Sequence, residues 1–189
     1  MTPPKIEQAL RTLTVLVDTR EQDTPLFRRR MEALSLPFVR RKLDFGDYSF
    51  EMDGKSFEHL AVVERKGCVD ELYNNLMHDR ERLEKEFYAA KCFSAHLELM
   101  VEGVSSEQEL RQLCVPDKQM LMQGRRIQKI GAVVYGSVKA FESGCRYGIH
   151  TSYVQKQDAA ERMLEIFYYC YRGYKAALRP LRKETNHAG

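Results

Sequence analysis

An α/β domain is what the order of apolar runs along this chain predicts. Three observations carry that expectation. Short runs rich in β-branched residues alternate with stretches of helical period, as strands interleaved with helices do. Several strand-like runs deliver charged residues at their ends, among them Asp18 after Val17 and Glu64-Arg65-Lys66 after Val63. The length of 189 residues, an apolar fraction of 43% and only 11 Gly and 6 Pro suit one domain with a real core and leave no room for two large ones. Residues 13–178 read as the folded domain, 1–12 as an N-terminal extension and 179–189 as a polar tail.

The elements follow in order. Leu13 to Val17 is a short β-branched strand that ends at Asp18-Thr19-Arg20-Glu21. Thr24-Pro25 reads as an N-cap and first helical residue, and Phe27, Met31 and Leu34 recur at helical spacing, so a short helix is expected to about Ser35. Phe38 to Leu43 is a second strand and Tyr48 to Met52 a third, the latter turning at Asp53-Gly54 toward a fourth that ends at Glu64. One long helix is expected from Val69, with a stripe of Val69, Leu72, Tyr73, Leu76, Leu83 and Phe87. Arg80 falls on that stripe and so would face the sheet, where it needs acids or a phosphate. Ala95 to Val101 is a fifth strand. Ser105 to Leu113 reads as a helix, Pro116 breaks it, and Ile127 to Phe141 reads as another, with Gly131 and Gly136 either admitting a close neighbour or weakening it. Ile149 to Val154 is a sixth strand. Asp158 to about Tyr174 is a helix apolar around so much of its circumference that two packing surfaces are expected, one the sheet and the other open to a second subunit.

Composition removes several classes of function. No run approaches the 18 or so apolar residues of a membrane span, and Met1-Thr2-Pro3-Pro4 lacks the regions of a signal peptide, so a cytoplasmic protein with no membrane partner is expected. Five scattered cysteines without a CxxC favour neither a disulfide framework nor a zinc site; reduced thiols are expected, with Cys92 and Cys170 packed. A net charge of +3 does not by itself announce nucleic-acid binding, but Arg28-Arg29-Arg30, Arg40-Arg41-Lys42, Arg125-Arg126 and Arg179 to Lys183 are clusters able to follow a phosphate backbone or to serve as solvated faces.

The chemistry-bearing residues are Asp47 and Glu64, with Lys66 beside the second. Carboxylates converging at strand ends with a lysine next to one of them can hold a divalent cation, a phosphate and an attacking water together. Each also has a plainer role: Asp18 as a loop acid, Asp47 as a turn residue, Asp70 as a cap, Arg80 as an ion-pair partner, and Tyr168, Tyr169 and Tyr171 as core or interface residues.

Taken together, Val17-Asp18-Thr19-Arg20-Glu21, Phe45-Gly46-Asp47-Tyr48, Glu64-Arg65-Lys66 followed by Asp70, and Arg80-Glu81-Arg82-Leu83 resemble the nuclease domain of XPF-family structure-specific endonucleases. The match is strong to about Phe87. What the resemblance implies is a restriction-endonuclease-like core of the PD-(D/E)XK type: a mixed sheet flanked by helices, with a metal-dependent site at one sheet edge. It implies Asp18, Asp47 and Glu64 as ligands of Mg²⁺ or Mn²⁺, Lys66 and Arg65 as catalytic partners, Arg20, Arg65 and Arg80 as nucleic-acid contacts, and Glu21 and Asp70 as supporting motif positions. It further implies endonucleolytic hydrolysis of branched or flap DNA, with 5′-phosphate and 3′-hydroxyl products, and a homodimer through the C-terminal helix. The chain lacks the helicase portion and the tandem helix-hairpin-helix module of larger family members, and resembles a stand-alone phage or prophage form acting in the bacterial cytosol or at the nucleoid. The alternative from another class is a non-catalytic DNA-binding or scaffold subunit.

Overall fold

The computed structural model describes residues 12–22, 25–113 and 130–178. The basic clusters at 125–126 and 179–183, Cys114 and the Thr24 cap lie outside them. In chain order the elements are β1 (Thr14–Val17), α1 (Pro25–Leu34), β2 (Phe38–Arg40), β3 (Tyr48–Met52), β4 (Lys55–Ser56), β5 (Ala61–Lys66), α2 (Val69–His78), α3 (Arg80–Cys92), β6 (His96–Glu102), α4 (Glu107–Gln112), α5 (Ile130–Glu142), β7 (His150–Val154) and α6 (Ala159–Ala177).

The strands form one sheet in the order β2-β1-β3-β5-β6-β7, with β4 hairpinned onto β3. β1 and β2 run parallel, as do β5, β6 and β7, whereas β3 runs against both of its long neighbours. That reversal decides where the chemistry lies. The start of β3, just after Asp47, meets the ends of β1 and β5, so Val17 pairs with Tyr48 and Tyr48 with Val63.

Successive side chains of a strand point to opposite faces, and β5 is apolar on both. Ala61 and Val63 join Tyr48, Phe50, Met100, Met163 and Phe167 on the face covered by α1 and α6. Val62 joins Leu72, Leu83, Phe87, Leu99 and Phe141 on the face covered by α2, α3 and α5. A strand buried on both sides reads as a continuous apolar run, which is why Ala61-Val62-Val63 is legible in the sequence. Carried three residues further, the same alternation sends Glu64 and Lys66 toward α2 and α3, and Arg65 to the other side.

The single helix expected from Val69 is two. Asp79 leaves helical geometry (φ −140°, ψ 29°) and closes α2 before α3 begins at Arg80. The break re-phases the second segment: the buried positions of α3 are Leu83, Glu86, Phe87 and Ala90, an i, i+3, i+4, i+7 stripe, and Arg80 is not among them. Gly131 of α5 admits a close neighbour: a Cβ there would lie 1.8 Å from the Leu110 carbonyl oxygen of α4. At Gly136 a Cβ would meet open space. α6 packs on the sheet and on α1, leaving Tyr169 exposed while Tyr168 is buried. Cys92 is exposed rather than packed, and Cys170 is partly buried against the α6 core.

Candidate functional site

The edge where β1 and β5 end and β3 begins opens into a cavity of about 430 Å³ lined by Arg20, Glu21, Gln22, Asp47, Glu64, Arg65, Lys66, Glu71, Arg82 and Glu86. Charged residues from three strand ends and two helices converge there because the antiparallel β3 brings its first residue to its neighbours' last ones.

Glu64 is the centre of it. Only 2% of the residue is exposed; Oε1 accepts a hydrogen bond from Lys66 Nζ at 2.7 Å, and Oε2 is buried with no donor. Burial pushes the Glu64 carboxyl up to about 7, against the pull of the Lys66 charge. Lys66, 4% exposed, would lose its proton more readily through burial, but the adjoining Glu64 carboxylate outweighs that and holds it above the ordinary lysine value. A buried acid with a bare oxygen beside a buried ammonium is not a solvated strand end.

Asp47 stands across the cavity on the loop entering β3. The Arg65 amide donates to its Oδ2 at 2.8 Å, and burial, then the nearby Glu64 charge, raises its pKa well above the usual carboxylate range. The loop takes this shape because Gly46 sits at φ +74°, where a Cβ would lie 3.0 Å from Val62 Cβ. Only glycine meets both conditions without strain, which accounts for Gly46 directly before Asp47.

Glu86 belongs to the same cluster. It is buried on the α3 stripe, its Oε2 accepts from the Gly46 amide at 3.2 Å, and its Oε1 faces Arg20 Nη1 at 3.3 Å and Arg82 Nη1 at 3.4 Å. The sequence alone does not single it out. The available signal was an acid on the buried stripe of α3, hidden as long as α2 and α3 were phased as one helix.

Of the other expected residues, Arg65 lies on the opposite face of β5 from Glu64 and reaches Glu21 Oε1 at 3.3 Å and Glu102 Oε2 at 3.5 Å. Glu21 also accepts from Tyr48 Oη at 2.6 Å. Arg20 lines the cavity. Asp18 does not: its side chain is fully buried and accepts from the Leu43 amide (2.7 Å), the Arg20 amide (2.7 Å) and Arg20 Nε (2.6 Å). Burial would raise its pKa, but those donors outweigh it and hold the carboxylate below its ordinary value. Asp18 thus braces the loop after β1 and aims Arg20 instead of facing the cleft. Arg80 is also absent from the lining. Outside the buried stripe, it pairs with Glu84 at 2.6 Å and lies over the Phe141 ring. Asp70 is exposed in the first turn of α2, where a negative charge favours the helix dipole.

A mixed sheet with helices on both faces and an acidic cleft at the edge formed by β1, β3 and β5 is a restriction-endonuclease-like α/β architecture. Among solved structures the chain is similar to XPF from Aeropyrum pernix in complex with DNA, at 20% identity over 86% of this chain and 66% of that one, with a TM-score of 0.56. It is also similar to XPF from Aeropyrum pernix alone, at 19% identity over 82% and 60%, with a TM-score of 0.49. This chain therefore spans less than two thirds of those chains, and at these identities the likeness is one of fold. No protein-family model and no curated protein matches the sequence.

The donor set fits a hard divalent cation. Its available atoms are carboxylate oxygens, one of them buried without a donor, and two neighbouring acids hold their protons more tightly than carboxylates do in water, as a site short of positive charge would. Among the described residues no group of three or more His, Cys, Asp or Glu side chains stands ready to hold a metal ion. An ion here would take one or two protein carboxylates and complete its shell with water and substrate oxygens, as Mg²⁺ commonly does.

Proposed function

We propose that this protein is a divalent-metal-dependent DNA endonuclease that hydrolyses phosphodiester bonds, with branched or flap DNA as its preferred substrate. The observation that carries the reading is Glu64: a carboxylate buried in a polar cleft, with one oxygen unpartnered and the other on Lys66 Nζ. An unsatisfied buried carboxylate costs stability and persists where function needs it. Asp47 and Glu64 would hold Mg²⁺ or Mn²⁺. When bound, such an ion supplies Lewis acidity toward a phosphate oxygen and acidifies the attacking water.

The chain's own residues do the remainder. Lys66, fixed by Glu64 on a buried strand, stabilises negative charge as it develops on the phosphate or the incoming oxygen. The Arg65 backbone amide orients Asp47, while the Arg65 guanidinium ties the strand end to Glu21 and Glu102. Arg20, aimed by Asp18, and Arg82 offer planar donors to backbone phosphates. The fold shared with an XPF structure solved in complex with DNA supports the choice of nucleic acid. A second copy docking on the outer side of α6, where Tyr169 is exposed, would give the homodimer.

Labelled duplex, single-stranded and flap DNA incubated with the protein with and without Mn²⁺ tests the reading. Metal-dependent cutting, greatest on flap DNA, is the expected result, with a loss of about a thousandfold in Glu64→Ala and in Asp47→Ala. Cutting that survives both substitutions removes the site from consideration; metal-independent binding without any cutting assigns the chain to DNA-binding subunits.

A further inference from the structure

Two arginines from separate elements are aimed at one oxygen of the cleft. Arg20, on the loop after β1, has its Nε held by Asp18. Arg82, on α3, has its Nε held by Asp79. With both stems fixed by acids behind them, each points an Nη1 at Glu86 Oε1, at 3.3 Å and 3.4 Å. Both distances exceed the roughly 2.9 Å of a well-formed N–H···O bond. Two guanidinium groups converging on a carboxylate make the surroundings a phosphate would select.

We propose that Glu86 is an internal stand-in for a substrate phosphate: it holds Arg20 and Arg82 together before DNA enters the cleft and yields them to a DNA backbone phosphate on binding. The inference rests on the reading of the cleft as a DNA site. Glu86 acts through the two arginines and is a positioning residue. Its other oxygen, on the Gly46 amide at 3.2 Å, keeps the side chain seated while Oε1 is displaced. The exchange makes entry conditional, because a ligand must bring an anion able to replace a carboxylate held by two cations. Uncharged or weakly anionic molecules leave the arginines closed on Glu86.

The test is metal-free binding of a labelled flap DNA to the full chain, followed by anisotropy in EDTA at fixed salt. Glu86→Gln keeps an oxygen for the Gly46 amide and removes the competing charge, and is expected to bind about tenfold tighter. Glu71→Gln is the control for charge alone: Glu71 lines the same cavity but contacts Lys66 and the Gly67 amide, and its removal should give less than about threefold. Arg82→Gln should then weaken binding by about tenfold in the Glu86→Gln background and by less than about threefold alone, a coupling that a merely structural Glu86 does not produce. Equal gains from Glu86→Gln and Glu71→Gln, or equal Arg82→Gln losses in both backgrounds, overturn the proposal. So does an absence of DNA binding by any variant, which overturns the DNA reading as well. Should Glu86→Gln melt well below the wild type, Glu86→Asp, which draws the carboxylate back by one methylene, replaces it with the same expected direction.

Discussion

Glu84 and Glu86 lie two residues apart on α3, about 200° apart around the helix, and their surroundings are opposites. Glu84 takes Arg80 Nε at 2.6 Å, Arg146 Nη2 at 2.7 and 2.8 Å and the Tyr147 hydroxyl. Burial pushes its pKa up, but those donors win and bring it down to about 2. On the other side, Glu86 has only long contacts, to its two arginines and to the Gly46 amide, and the adjacent Glu64 has been pushed up to about 7. The first cluster is arranged for its charges to be at rest. It fastens α3 to the segment between α5 and β7, helped by Lys91 donating to the Arg146 carbonyl. The second holds Glu86 at longer range and leaves Glu64 Oε2 without a donor. Carboxylates on one helix thus differ in how closely their donors approach, within 2.8 Å at Glu84 and no nearer than 3.2 Å at Glu86.

The largest expected effect that tests this contrast is its pH dependence. Glu64 has a folded pKa above its unfolded value, so the folded state binds the extra proton between about 4.5 and about 7. Its contribution therefore favours folding at low pH and is lost as pH rises through that window, on the order of 3 kcal/mol in all. Glu84 has a depressed folded pKa, so its contribution is present above about 4.5 and is lost as pH falls toward about 2. Melting temperatures measured from pH 2 to 9 without divalent ions should show Glu64→Gln flattening the neutral limb and Glu84→Gln flattening the acid limb. The same limb changed by both variants would erase the distinction. Adding Mn²⁺ should raise the melting temperature of the wild type more at pH 8 than at pH 5.5, and neither Asp47→Asn nor Glu64→Gln should show that difference.

Next in size is Gly46→Ala. A side chain at φ +74°, 3.0 Å from Val62 Cβ, should cost about 2 kcal/mol by chemical denaturation and reduce cutting further than that loss explains, because Asp47 and the Glu86-binding amide move with it. Full activity in a destabilised protein would separate the loop's shape from its chemistry. The smallest effect belongs to Arg80→Ala. Removing a half-exposed ion pair should cost at most about 1 kcal/mol and leave DNA affinity within about twofold of wild type. A tenfold loss of affinity would return Arg80 to the binding surface.

What was legible in the sequence follows the same physics. Strands buried on both faces announce themselves by composition, so β1, β3, β5 and β6 fall where their apolar runs are, and the cleft residues at their ends could be named in advance: Asp47, Glu64, Lys66, Arg20 and Glu21. The helix pair α2 and α3 was not separable, because Asp79 is an ordinary helical-surface residue in composition and no Gly or Pro stands beside it. That one break carried both Arg80, assigned to the sheet side, and Glu86, passed over. Asp18 is the other case. A strand-end acid looks the same whether it faces a cleft or accepts three hydrogen bonds behind it, and only the position of the Leu43 amide, 25 residues on, decides between them.

The lone reversed strand has a consequence for when the protein can act at all. Asp47 enters at the head of β3, and Glu64 and Lys66 leave at the tail of β5. Sliding one strand by a single residue would turn Glu64 and Lys66 away from the cleft and Val62 and Val63 onto each other's faces. A misaligned core and a misaligned cleft are therefore the same event. A partly melted molecule loses the geometry of the cleft in the step that loosens its interior, and a chain still folding cannot present these charged groups together.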